Sequence, residues 1–202
     1  MKNFLDKIYI VLVGTTHPGN IGATARAMKT MSQQNLRLVN PLHFPSAEAS
    51  ARAAGADDIL AKSQQFSCLK EAVKDCDLVI GTSARVRGIP WPMLSPRECA
   101  EKISERSYSS VAIVFGKESS GLSNEELQLC NMVLKIPTNT EYNSLNLAAA
   151  VQIICYEILL LMGTNNVKGR TYSELKGDLS LNSVENTALS TWSGTTNITT
   201  VG

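Results

Sequence analysis

Five short apolar runs, at residues 7–14, 36–40, 77–82, 111–116 and 133–136, are separated by segments with helical spacing. Most of these runs are continuous, without the polar residue at every second position that marks a half-solvated strand. Each therefore predicts a strand covered on both faces. Between them, apolar periodicity predicts helices over 21–31, 46–54, 69–75, 96–106, 123–130 and 144–162. Ser123 with Glu126 three residues on is a capping-box pattern, and Ser95 before Pro96 reads as an N-cap with proline at the first helical position. Strands alternating with helices predict the α/β class, a mostly parallel sheet with helices on both faces.

The 202 residues, 44% hydrophobic and 18% charged, suit one domain plus a short tail and exclude global disorder. Lys+Arg 19 against Asp+Glu 18 leaves a net charge of +1, so any nucleic-acid or membrane surface must be local. Cys68, Cys76, Cys99, Cys130 and Cys155 form no C-x-x-C pair, and only His17 and His43 stand beside them. That usage predicts buried thiols of a reducing cytoplasm and no metal site. The apolar run from Ile8 to Val13 is too short for a secretory signal and reads as a buried strand. A longer stretch, Leu145 to Gly163, is interrupted by Asn146, Gln152 and Glu157, each costly in hydrocarbon. It predicts a helix buried against a sheet or a second subunit, with no membrane span. Beyond Gly163 the chain turns rich in Ser, Thr, Asn and Gly, so residues 1–163 are expected to form the domain and 164–202 a linker and loosely ordered tail.

In an open α/β sheet ligands bind at the carboxyl ends of the strands. Four such ends here carry polar, glycine-containing loops: Gly14 to Gly22, Gly81 to Gly88, Phe115 to Leu122, and Ile136 to Asn146. The first has the Gly14–Gly19 spacing of a phosphate-binding loop, but Asn20 and Ile21 stand where lysine and Ser/Thr are needed. No G-x-G-x-x-G follows a strand and no G-x-S-x-G elbow occurs, so dinucleotide binding and serine hydrolysis are poor fits. What remains is a site of amides, hydroxyls and an arginine. Taken singly, Arg26 reads as an arginine snorkelling from a core helix, Glu118 as a first-turn acid, and Asn143, Ser144 and Asn146 as caps.

Taken together and in order, three segments point further. Asn20-Ile-Gly-Ala-Thr-Ala-Arg26, Phe115-Gly-Lys-Glu118 with Gly121-Leu122, and Ile136 through Asn143-Ser-Leu-Asn146 resemble the three motifs of the SPOUT RNA methyltransferases, in the TrmH-like branch. The wording is nearest to the tRNA anticodon-loop members, over roughly residues 7–162. The resemblance implies a deep trefoil knot near the carboxyl end and a homodimer. It implies S-adenosyl-L-methionine as methyl donor and a ribose 2′-hydroxyl of tRNA, at cytidine or uridine 32, as acceptor. Another tRNA or rRNA site, or an RNA-binding member without transfer, are the alternatives. By the same resemblance Thr82, Ser83, Ala84, Gly116, Ile136, Ser144, Leu145 and Asn146 line the cofactor pocket. Asn20, Arg26, Glu118, Ser144 and Asn146 become the catalytic set.

A guanidinium has no acceptor lone pair, so Arg26 is expected to orient the ribose or a phosphate and to stabilise developing charge. Asn20 is expected to place the ribose or hold Arg26, and Glu118 to fix Arg26 or the third motif's backbone. Arg26, Lys29, Arg85 and Arg87 form the expected basic mouth for RNA phosphates.

Overall fold

The computed structural model describes residues 4–84, 92–105 and 108–168. Among them β1 (Ile8–Val13), β2 (Asn35–Val39), β3 (Gln64–Phe66), β4 (Leu78–Thr82), β5 (Met93–Leu94), β6 (Val111–Phe115) and β7 (Met132–Leu134) form one sheet. Its order is β3-β2-β1-β6-β4-β7-β5, and every pairing between these strands is parallel. The helices are α1 (Pro18–Thr30), α2 (Ala47–Ala53), α3 (Asp57–Lys62), α4 (Leu69–Ala72), α5 (Pro96–Glu105), α6 (Asn124–Gln128) and α7 (Leu147–Lys168). A 3₁₀ turn, Phe4–Lys7, leads into β1. Contacts group Met1–Met162 into one unit, and the fold described here is that unit's.

The continuous apolar runs explain the two-sided burial. Along β1, Ile8, Ile10 and Leu12 enter one core, while Val11 and Val13 enter another. β6 divides likewise, with Ile113 and Phe115 on the first face and Ala112 and Val114 on the second. Apolar side chains of α1, α2, α3, α5 and α7 close the first face, and those of α4 and α6 the second. Strand alternation alone produces this division, because neighbouring residues point to opposite sides of the sheet.

Helix ends follow from their capping residues. Ser123 Oγ accepts from Glu126 N–H (3.2 Å) and Glu126 returns the bond from Ser123 N–H (2.7 Å), as the pattern predicts. Ser95 and Glu98 make the same exchange ahead of α5. α1 begins at Pro18, earlier than expected, because His17 Nδ1 accepts from Gly19 N–H (3.2 Å) and Pro18 needs no donor there. α7 departs at both ends, starting at Leu147 and running on to Lys168. Ser144 and Leu145 therefore belong to the loop before it. β3, β5 and α3 have no counterpart in the apolar pattern: β3 is a polar edge strand, β5 has two residues, and α3 has six with no side-chain cap.

Two further contacts fix the frame. A Cβ on Gly22 would stand 2.0 Å from the Ala49 carbonyl oxygen, so glycine lets α1 and α2 touch backbone to backbone. Arg37, buried on β2, forks onto Asp75 with two bonds of 2.7 Å and lies 3.7 Å from the Tyr9 ring centroid. It also donates to the Ala72 carbonyl (2.6 Å), tying the end of α4 to the sheet.

Candidate active site

The loop after β6 doubles back on itself. Lys117 and Gly121 pair as an antiparallel bridge, and a Cβ on Gly116 would lie 2.1 Å from the Gly121 carbonyl carbon. Only glycine fits position 116. Glu118 projects from this hairpin onto the turn that opens α1. Its Oε2 accepts from Thr16 N–H and Thr16 Oγ–H, each at 3.1 Å, and its Oε1 accepts from His17 N–H at 3.3 Å. Asn20 Nδ2 adds a fourth bond to Oε1 at 2.9 Å. Burial alone would raise the Glu118 carboxyl; the bonds from Asn20, Thr16 and His17 outweigh it and hold the group below its ordinary 4.5.

The row continues. Asn146 Nδ2 donates to Asn20 Oδ1 (3.1 Å), while Asn146 Oδ1 accepts from Ala148 N–H (2.9 Å) and caps α7. Glu118, Asn20 and Asn146 thus join the ends of three segments that lie far apart in the chain. Asn146 does this from beside the neighbouring pocket, not from its wall.

That pocket has a volume of about 190 Å³. Thr82, Ser83 and Ala84 reach it from the end of β4, Gly116 from β6, and Ile136, Ser144 and Leu145 from the loop ahead of α7. Leu134, Leu147 and Ala150 add apolar wall that the sequence reading did not single out. A mixed lining of apolar side chains with a few hydroxyls and amides suits a small organic ligand. Among the described residues no three His, Cys, Asp or Glu side chains gather where they could hold a metal ion. Burial pushes the Cys99, Cys130 and Cys155 thiols up to about 12, which makes poor nucleophiles of them. None of the described helices is long and apolar enough to cross a membrane.

Arg26 is not part of this row. Six residues beyond Asn20 on α1, it is turned by about 240° and shifted by about 9 Å along the axis. It is exposed, and neither Asn20 nor Glu118 bonds to it. Both pairings expected for Arg26 are therefore corrected. Asn20 spends its amide on Glu118 and Asn146, and Glu118 braces the start of α1 instead of the third motif's backbone. Lys29 is held by Asp58 Oδ1 and the Gly55 carbonyl, both at 2.8 Å, so its charge is already paired. Arg85 and Arg87 lie outside the described residues. Thr16 and His17, which supply three of the four bonds to Glu118, went unread; their signal was a polar loop directly after a buried strand.

A parallel sheet with a polar cleft at the carboxyl ends of its strands is the arrangement of a ligand-binding α/β domain. The model of the SpoU rRNA Methylase family matches residues 7–156, and the chain belongs to that family. A tRNA (cytidine/uridine-2'-O-)-methyltransferase TrmJ of Sodalis glossinidius is 57% identical over 155 residues, which cover 76% of this chain and 61% of that protein. The crystal structure of TrmJ from Z. mobilis ZM4 aligns with a TM-score of 0.72 and 38% identity, covering 75% of this chain and 68% of that one. A structure described as giving insights into the 2-OH methylation of C/U34 on tRNA aligns with a TM-score of 0.60 and 25% identity, over 77% and 91%. The chain spans about three-fifths of the length of the curated relatives it matches.

Proposed function

We propose that this chain is the catalytic part of a tRNA ribose 2′-O-methyltransferase that uses S-adenosyl-L-methionine and acts on cytidine or uridine 32 of the anticodon loop. The observation that carries the reading is the hydrogen-bonded row Glu118–Asn20–Asn146. It ties three motif segments together beside a pocket lined by Thr82, Ser83, Gly116, Ile136, Ser144 and Leu145. The TrmJ relatives, 56–57% identical, support the substrate class.

When bound, S-adenosyl-L-methionine supplies an electrophilic methyl on a sulfonium that departs as a neutral thioether. The pocket fits such a group: Ile136, Leu145 and Leu134 offer apolar surface to a purine and a thioether, and Thr82, Ser83 and Ser144 offer polar atoms at the rim. Asn20 and Asn146 hold the walls in register, and alignment then supplies much of the rate. Arg26, with no acceptor lone pair, steadies the ribose and the charge growing on its oxygen, while the proton passes to water or a phosphate oxygen.

Arg26 comes to the pocket from a second copy of the chain. Two observations support this homodimer. Arg26 points to solvent on α1, clear of its own pocket. From Leu147 to Leu161 α7 is apolar except for Gln152 and Glu157, yet Tyr156 and Leu160 are 47% and 37% exposed. α1 and α7 are neighbours, joined by Thr30 Oγ1 and Gln152 Oε1 at 3.4 Å, so one contact face would cover both. A deep trefoil knot belongs to the same proposal, supported by β4 lying between β6 and β7, two strands that follow it in the chain. So do a methyltransferase domain over 1–163, a linker and tail over 164–202, and a cytoplasmic location.

The decisive test incubates purified protein with the methyl donor and unmodified tRNA, then maps ribose methylation by mass spectrometry. A single 2′-O-methyl group at nucleotide 32 is the expected result. Methylation at another position, 34 included, overturns the assigned target, and RNA binding without transfer overturns the enzyme.

A further inference from the structure

Lys117 stands between the glycine of the pocket wall and Glu118; its backbone is tied into the turn, and its exposed side chain lies over Gly14. Its carbonyl accepts from Gly121 N–H at 2.8 Å. Its stem lies across the turn after β1, where Gly14 holds φ at +59° and where a Cβ would stand 2.6 Å from Lys117 Cε and 3.0 Å from Cγ. Gly14 is the floor on which the lysine rests.

The residue so placed borders the pocket described above and two shallower recesses beside it. The larger of these is a groove of about 500 Å³ whose charged lining is Lys117, Lys70, Glu125 and Glu126, with Leu42 and Leu129 among its apolar residues. Among the described residues no acceptor is recorded for Lys117 Nζ. Of the carboxylates nearby, Glu118 accepts from Thr16, His17 and Asn20 and Glu126 from Ser123 N–H, and neither bonds to the ammonium. A charged donor with no partner among the described residues, where these recesses meet, can take an anion from outside the chain.

We propose that Lys117 is a positioning residue that grips a phosphate of the RNA strand where it enters the site; this rests on the reading that RNA is the substrate. A phosphate of a strand fits because Lys117 belongs to both the pocket and the groove, where Lys70 is a second cation beside Glu125 and Glu126. Leu42 and Leu129, 61% and 38% exposed, give the same groove apolar banks for sugar and base. A strand with one charge per nucleotide uses that path, whereas a single small molecule leaves it empty.

The test measures binding of an anticodon stem-loop RNA by fluorescence anisotropy across a salt series, with donor affinity followed by calorimetry. Wild type, Lys117→Met, Lys117→Gln and Lys117→Arg are compared at matched melting temperature. Met and Gln are expected to lose roughly three- to tenfold in RNA affinity near 0.1 M salt. They should also lower the slope of log K against log salt by about 0.7, the share of one phosphate on a single strand. Arg should restore both. Unchanged RNA slopes overturn the proposal, and a drop in donor affinity alongside them assigns the ammonium to the methyl donor instead. A wild type that binds no RNA overturns the proposal and the reading beneath it, whereas a wild type that binds with the same slope as its variants overturns the proposal alone.

Discussion

Glu118 takes four hydrogen bonds from the start of α1, and its charge is what makes them strong. Glu118→Gln keeps the shape but loses the charge, and is expected to cost about 1–2 kcal/mol at neutral pH. Because the folded carboxyl sits below its ordinary 4.5, its contribution is present above that value and is lost as pH falls through the depressed one. Melting curves should therefore show the gap between wild type and Glu118→Gln closing below pH 4.5. A gap that stays constant down to pH 3 contradicts this account. Arg26 calls for a different readout, since no bond of the described fold depends on its side chain. Arg26→Ala and Arg26→Lys should bind the methyl donor like wild type in calorimetry yet lose about 10²-fold or more in transfer, because lysine lacks the planar fork. Near-native turnover of the lysine variant would refute that role. The sequence named Asn20, Glu118 and Asn146 but not their partners. Of the two roles expected for Asn20, placing the ribose or holding Arg26, the second does not occur: its amide bonds to residues 98 and 126 positions on. Motif spacing carries residue identity; the sheet order decides who meets whom.

Among the elements, the interior ones were legible and the edges were not. β1, β4 and β6 are buried on both sides, so unbroken apolar runs mark them within a residue or so of their ends. β3 lies at the sheet's edge with Gln64 and Gln65 exposed, and an edge strand needs no apolar pattern. α1 was placed three residues late because Pro18 and Gly19 resemble loop residues until His17 is seen to cap them. Gly22 shows how tightly the elements meet. Gly22→Ala drives a methyl into the Ala49 carbonyl, 2.0 Å away in the present packing, and must push α2 off α1. The expected loss is about 2–3 kcal/mol, seen as a fall of roughly 4–12 °C in Tm by calorimetry. An unchanged Tm would mean the two helices slide apart at little cost.

At the scale of the whole molecule, the exposed face of α7 leads to the assembly. If a second copy covers Tyr156 and Leu160, the double variant Tyr156→Asp, Leu160→Asp should run as a monomer in light scattering and lose transfer. A wild type that is itself monomeric at micromolar concentration would remove the homodimer from the proposal. The sequence expected a sheet and helices on both faces, but no local pattern records that β4 lies between β6 and β7. That placement has a consequence during synthesis. The strands appear in the order of translation, yet β4 has neither neighbour until residues 111–115 and then 132–134 have left the ribosome. A nascent chain of 110 residues can pair β2 with β1 and β3, but its fourth strand waits without a lodging. The cleft thus cannot close before β7 is made, and a ribosome that stalls short of residue 134 releases a partial sheet with no place for chemistry.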